Sequence, residues 1–298
     1  TFSHSPWTLP NGASLFTSQY PYSHKLLNRY DGNTIPEEYK TLAEILKEKG
    51  YITAAFTGGG DYNRLYGFNR GFDEYDDFKN FSKISENKEK ITEWLKENQK
   101  EKFFLFTQGF DTHCPFDPPS PYDKKYKSSD SVIDSSVCYW NLDKNKPEEK
   151  NGETEYFVYK QEKNSSEPKL IAIQERDKQE LIDLYDGAIS QADNALGDIF
   201  RTINDLGLDK NTIVVFLSEH GDMIGDNGRF MRTDILGSFS DEVLNIPLLV
   251  KAPFLDGRKI SGMVNFVDIM PTLLGFLNVD SHTSFFEGKD LEPLIKDG

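Results

Sequence analysis

The sequence predicts an α/β fold in which helices cover a mostly parallel sheet. Three observations lead there. Residues 36–50 read as an amphipathic helix that runs straight into a short apolar strand at 51–57, which Gly58-Gly59-Gly60 then breaks. A charged amphipathic helix at 84–99 precedes a second apolar strand at 103–107. A long helical pattern at 170–206 precedes a third, the continuous apolar run Thr-Ile-Val-Val-Phe-Leu at 212–217, which is what a buried parallel strand looks like.

Taken in order, the first element is a turn into a helix. Pro10 fixes its own φ and disfavours the α region at Leu9, so the chain is expected to be extended through Trp7 and Thr8 and helical just afterwards. Thr8 then stands at a helix N-terminus. Unpaired amides and the positive end of the helix dipole attract an anionic ester there and ease partial ionisation of a hydroxyl. The competing reading is an N-cap threonine on an ordinary surface helix.

In the 36–50 helix, Leu42, Ile45 and Leu46 share a face and Gly50 occupies the stop position. The triple glycine lacks dinucleotide-binding spacing and reads as a loop. His113, in Asp111-Thr112-His113-Cys114-Pro115-Phe116, lies just beyond the carboxyl end of the 103–107 strand. Open α/β sheets place their ligands at such ends. From 118 to 168 the pattern dissolves into Pro, Ser, Lys, Asn and Glu with scattered Tyr and Trp140, an insertion or lid within one domain over 1–298.

Helical periodicity returns at Leu170, with Leu181, Leu184, Tyr185, Ile189, Leu196, Ile199, Phe200 and Ile203 as its core-facing stripe and Gly207 as its end. The strand at 212–217 leads into Ser218-Glu219-His220-Gly221-Asp222. Glu219 and neutral His220 are oxygen and nitrogen donors for a divalent cation such as Mn, Zn, Mg or Ca, and a bend at Gly221 lets both face one ion. Arg229 and Arg232 follow as nearby cations for an anionic substrate, with a solvated surface as their alternative role.

Composition narrows the partners. A chain of 298 residues with 37% hydrophobic content can bury a core. A net charge of -15 argues against a nucleic acid or an anionic membrane as partner, and leaves a small anionic ester whose charge a metal would offset. Cys114 and Cys138 are the only cysteines and are not closely spaced, so no disulfide framework or thiolate zinc site is indicated. Reduced cysteines and a cytoplasmic location are expected. No run approaches the roughly 18 apolar residues of a membrane span, and the first residues do not read as a secretory signal. The sequence does not specify an oligomeric state.

Residues 8–24 resemble the signature of sulfatases, within the alkaline phosphatase superfamily: Cys or Ser, any residue, Pro, Ser, Arg, a short helix, then Tyr-Pro and His. Here the run is Thr8-Leu9-Pro10-Asn11-Gly12, a helix, Tyr20-Pro21 and His24. Gly50-Tyr51-Ile52-Thr53, Gly71-Phe72-Asp73 and Asp111-Thr112-His113-Cys114-Pro115 are similar to further segments of that family. So are Ser218-Glu219-His220-Gly221, Ile246-Pro247-Leu248, Val267-Asp268-Ile269-Met270-Pro271-Thr272-Leu273 and Glu287-Gly288-Lys289-Asp290-Leu291.

The resemblance implies an alkaline phosphatase-like three-layer α/β/α sandwich whose first strand, ending in a metal-binding Asp pair, is missing from this chain. It also implies that Thr8, Glu219 and His220 hold the metal, that Thr8 is the nucleophile and that His113 lies beside the ester. Thr8 stands where the family has the Cys or Ser that becomes formylglycine, and Gly12 where it has an Arg. The Gly-Lys after the 51–57 strand is absent, and Leu236 stands where many members have a Lys that Arg229 or Arg232 would replace. His282 has no partner in view. A Thr nucleophile resembles the phosphate-handling members of the superfamily, so hydrolysis of phosphate mono- or diesters is expected. Sulfate ester hydrolysis and a catalytically inactive binding protein are the alternatives.

Overall fold

The computed structural model describes residues 1–30, 32–128, 131, 133–142, 145–161, 167–232, 239–279 and 285–297. Leu236 and His282 lie outside the described residues. The central strand Ile52–Phe56 pairs in parallel with Glu74–Asp76 on one side and Phe103–Thr107 on the other, in register from Ile52 opposite Phe103 to Phe56 opposite Thr107. The two-residue period of a strand sorts its side chains between two helical layers. Phe104 and Phe106 meet Leu9, Ala13 and Phe16 of the Thr8–Thr17 helix, Leu42, Ile45 and Leu46 of Leu42–Glu48, and Met270 and Leu274 of Ile269–Phe276. Phe103 and Leu105 meet Ile91, Trp94 and Leu95 of Ile84–Glu97 and Ala195 and Ile199 of Glu175–Asp205. The result is the three-layer α/β/α arrangement.

Several expectations shift. The helix expected at 36–50 is confined to Leu42–Glu48, because Thr41 caps it through a capping box with Glu44. The apolar run at 212–217 contributes Val214–Leu217, which pairs antiparallel with Leu248–Lys251 and leaves Phe216 41% exposed. A continuous apolar run reports hydrophobicity but not the direction of its partner. Ile189 and Phe200, expected on the core-facing stripe of the long helix, are 44% and 37% exposed, since the buried face narrows to Leu181, Leu184, Ala188, Ala195 and Ile199.

The 118–168 stretch is not patternless. Glu153–Lys160 pairs antiparallel with Tyr139–Trp140, Glu148–Lys150 and Lys169–Gln174. The last of these strands takes residues expected to start the long helix. Gln174 ends it in extended conformation, and Asp177 accepts the Gln174 amide to start the helix at Glu175. Tyr139, Tyr156, Val158 and Ile173 from this small sheet pack on Cys114, Phe116, Leu181, Leu184 and Phe230. The packing brings Cys114 and Cys138 to a Cα–Cα distance of 5.4 Å, and they form a disulfide. This corrects the expectation of reduced thiols. A separation of 24 residues carries no local signal, and only the packing of the small sheet brings the pair together.

Near the first helix, His24 is buried between Ser14 and the backbone of Leu26. Its Nδ1 accepts the Leu26 amide, so the neutral ring carries its proton on Nε2, facing Ser14 Oγ at 3.2 Å. Burial pushes the His24 imidazole down to about 4.

Two predictions test this architecture. Closing a loop of this length restricts the unfolded chain, so Cys138→Ser should lower the unfolding free energy by about 3 kcal/mol, read by urea titration. A histidine whose folded pKa is depressed adds stability above its unfolded pKa, and that stability is lost as pH falls through the folded value. His24 should therefore contribute roughly 3 kcal/mol at pH 7 that disappears toward pH 4. His24→Gln should give a shallower pH dependence of the urea midpoint over that interval.

Candidate active site

Thr8 is the first residue of its helix, and the N-cap is Trp7, which is extended and makes no side-chain cap. The Thr8 hydroxyl is therefore not spent on capping. It is buried and lies 3.4 Å from His220 Nε2. Asn11 ties this helix to its surroundings: its Nδ2 donates to the carbonyls of Ser5 at 2.6 Å and Glu219 at 2.8 Å, and its Oδ1 accepts from the His4 amide. Gly12 allows two aromatic rings to close over it. A Cβ at Gly12 would meet Tyr62 Cε1 at 2.9 Å and Phe68 Cε1 at 3.0 Å, so the space of a larger residue is already filled.

The loop after Val214–Leu217 carries Glu219, His220 and Asp222. Its position depends on Gly221, whose amide donates to the Val243 carbonyl at 2.7 Å and where a Cβ would lie 2.0 Å from the Glu242 carbonyl. Burial pushes the Glu219 carboxyl up to about 7, against the opposing pull of the Thr8 and Tyr62 hydroxyls. The Tyr62 hydroxyl is buried, faces Glu219 and completes no hydrogen bond among the described residues. Burial, followed by the charge of Arg232, holds His220 well below the usual imidazole range. Its Nδ1 donates to the Gly221 carbonyl at 3.1 Å, which leaves the Nε2 lone pair to accept from Arg232 Nη1 at 2.5 Å, with the Thr8 hydroxyl farther off at 3.4 Å.

Arg232 joins the two histidines. Its Nη1 lies 2.5 Å from His220 Nε2, its Nη2 3.1 Å from His113 Nε2, and its Nε 3.3 Å from Asp222. A hairpin places it there. Met223–Asp226 and Arg229–Met231 are joined through Asn227 and Gly228, both at positive φ, which matches the twist of paired strands. A register shift between Arg229 and Phe230 and a φ of 62° at Met231 then turn Arg232 out of the ladder.

The loop that carries His113 is anchored by Asp111, which accepts the Ile84 amide at 2.7 Å, and the His113 amide donates to the Phe110 carbonyl while the ring Nδ1 donates to the Cys114 carbonyl at 2.6 Å. Burial, then Arg232, lowers its pKa. Of the residues expected from sequence, Thr8, Glu219, His220, Arg232 and His113 converge. Arg229 stays on its strand and enters none of these contacts. Sequence reasoning passed over Asn11, Tyr62 and Asp222. The Asn227-Gly228 turn was the available signal that a hairpin would carry Arg232 inward.

The family model that describes sulfatases matches residues 1–279. The chain belongs to the sulfatase family. The ulvan-active sulfatase of Formosa agariphila is 27% identical over 98% of this chain and 56% of its own length. Arylsulfatase K of Xenopus laevis is 25% identical over 99% of this chain and 58% of its own length. The chain thus spans a little over half the length of these relatives. The phosphonate monoester hydrolase of Agrobacterium radiobacter shares the fold, with a TM-score of 0.74 over 100% of this chain and 69% of that one at 19% identity.

Members of this superfamily typically use a divalent metal ion. Among the described residues no three carboxylate, imidazole or thiolate donors gather around one point. What this sulfatase-family chain offers is Glu219, His220 and the Thr8 hydroxyl. A partly buried carboxyl pushed up to about 7, with no ion pair among the described residues, fits a cation. Arg232, which links the two histidines, also faces Asp222.

The packing over Gly12 gives a direct test. Gly12→Ala should cost about 1–3 kcal/mol of stability through overpacking against Tyr62 and Phe68, measured by thermal or urea unfolding.

Proposed function

We propose that this protein is an ester hydrolase that cleaves phosphate mono- or diesters through a covalent Thr8 intermediate. One observation carries the reading: the Thr8 hydroxyl, free of any capping role at a helix N-terminus, lies 3.4 Å from the lone pair of a neutral His220. Thr8 Oγ1 attacks phosphorus as Arg232 Nη1 shifts from His220 Nε2 to the phosphoryl oxygens; the Thr8 proton passes to the Nε2 so freed and on to the leaving oxygen as its bond to phosphorus breaks. Water then attacks the phosphorus of the phosphothreonine, its proton passes to Thr8 Oγ1 as the bond from that oxygen to phosphorus breaks, and phosphate or a phosphate monoester leaves. Arg232, already aimed at this point, binds the non-bridging oxygens. His113 accepts from Arg232 at Nε2 and donates its one ring proton, on Nδ1, to a backbone carbonyl, so its part is to orient the guanidinium rather than to supply a proton. A divalent cation held by Glu219, His220 and Thr8 would use the same His220 lone pair, and would replace the proton transfer to His220 by favouring the Thr8 alkoxide and offsetting ester charge.

Sulfate ester hydrolysis is the second reading, favoured by the sulfatases among the relatives. Thr8 weighs against it. Oxidation of a secondary alcohol gives a ketone, not the aldehyde that a Cys or Ser would give. The Cys114–Cys138 bond further leads us to propose an oxidising compartment in place of the cytoplasm.

Hydrolysis of matched aryl phosphate monoester, phosphate diester and aryl sulfate, with Mn²⁺ added, separates the readings. Phosphate ester turnover should fall at least ~10³-fold in Thr8→Ala and survive in part in Thr8→Ser. Sulfate turnover that persists in Thr8→Ala would sink the nucleophile assignment, and absence of any turnover would favour a binding protein.

A further inference from the structure

Phe81 stands at the rim of the candidate site in a conformation that its own chemistry disfavours. Its φ is 60°, in the left-handed region where a bulky L-residue is strained. Most other non-glycine residues at positive φ have an evident reason: Asn151, Asn227 and Asn278 are asparagines, and Ser18 and Lys25 are helix C-caps. Phe81 has neither excuse. Its neighbours fix it in place. Asn80 Oδ1 accepts the Gly60 amide at 3.2 Å, and buried Ser82 donates its amide to the Gly58 carbonyl and accepts the Phe110 amide at 3.0 Å.

The strain does not serve to bury the ring. Phe81 is 61% exposed. One edge rests against Phe110 at a centroid distance of 4.9 Å, and the ring lies 6.0 Å from the His113 ring. Phe110 in turn contacts His113 at 5.3 Å. The loop thus holds an open aromatic surface beside the histidine that orients Arg232.

We propose that Phe81 is a specificity-determining residue whose ring receives the cyclic organic group of the ester, an aryl or sugar ring, by face-to-face or CH–π contact. The proposal rests on the active-site reading above for the position of the ester's anionic head. An ester whose head binds Arg232 presents its organic group toward the rim, and an aromatic surface there favours a ring over a small alkyl group. Holding such a surface open in a strained conformation is costly for a residue whose role is packing, and suits one whose partner arrives with the substrate.

The test compares binding of phenylphosphonate and methylphosphonate to the intact protein by titration calorimetry with Mn²⁺ present. Wild type should bind the phenyl compound about tenfold more tightly. In Phe81→Gly that preference should vanish through loss of phenylphosphonate affinity alone, with the melting temperature unchanged or raised because glycine accepts the left-handed φ. Phe81→Tyr should keep the preference. No phenyl preference in wild type, an equal loss for both ligands, or a Phe81→Gly variant that binds like wild type but melts lower would each overturn the proposal. Binding behaviour as expected, with no ester turnover by any form, would refute the hydrolytic reading and leave the ring-binding role of Phe81 standing.

Discussion

Partial burial of the Glu219 carboxyl and the His220 imidazole beneath the start of the first helix is the constraint on which the rest of the structure depends. Two polar groups removed from water need partners or a compensating charge, and here the supply is uneven. His220 gives one nitrogen to the Gly221 carbonyl and turns the other toward Thr8 and Arg232. For Glu219, desolvation and the charge of Asp61 outweigh the Thr8 and Tyr62 hydroxyls and the pull of Arg232, so its carboxyl is pushed up to about 7. A folded protein tolerates that cost where the same groups act on a substrate or ion.

Everything around that pair serves to fix it. Asn11 binds the Glu219 carbonyl to the entry of the first helix, and Gly221 lets the loop press onto the Asp241–Leu244 segment. Tyr62 and Phe68 occupy the space over Gly12, which explains why a large basic residue is absent there: the aromatic pair and an arginine exclude each other sterically. The small antiparallel sheet, joined to the His113 segment by Cys114–Cys138, shares a core with Phe230 of the hairpin that carries Arg232. The insertion therefore supports both side chains that meet over the site, from opposite ends of the sequence.

Much of the framework was legible because it is locally encoded. The 103–107 strand, the first helix (though it starts at Thr8, where extended chain was expected, and takes in Pro10) and the Gly221 bend follow from hydrophobic period and backbone chemistry. Thr8, Glu219 and His220 stood out because each follows a structural boundary that the sequence marks. The strand Lys169–Gln174 was hidden because its alternation merges with the helical pattern that follows, and the antiparallel pairing of Val214–Leu217 because a partner's direction leaves no trace in one strand.

The sequence by itself determined the main helices and the central strands, the greater part of their apolar faces, and that a hydroxyl, a carboxyl and an imidazole occur near element boundaries. Those are properties of spacing and of single residues. Only the tertiary structure decided that Arg232 and not Arg229 reaches the histidines, that the two cysteines are bonded, and that Tyr62 fills the place beside Gly12. Each of these joins residues that are far apart in the chain or separated by the sense of a strand. Such a contact follows from packing of whole layers, which no window of local sequence contains.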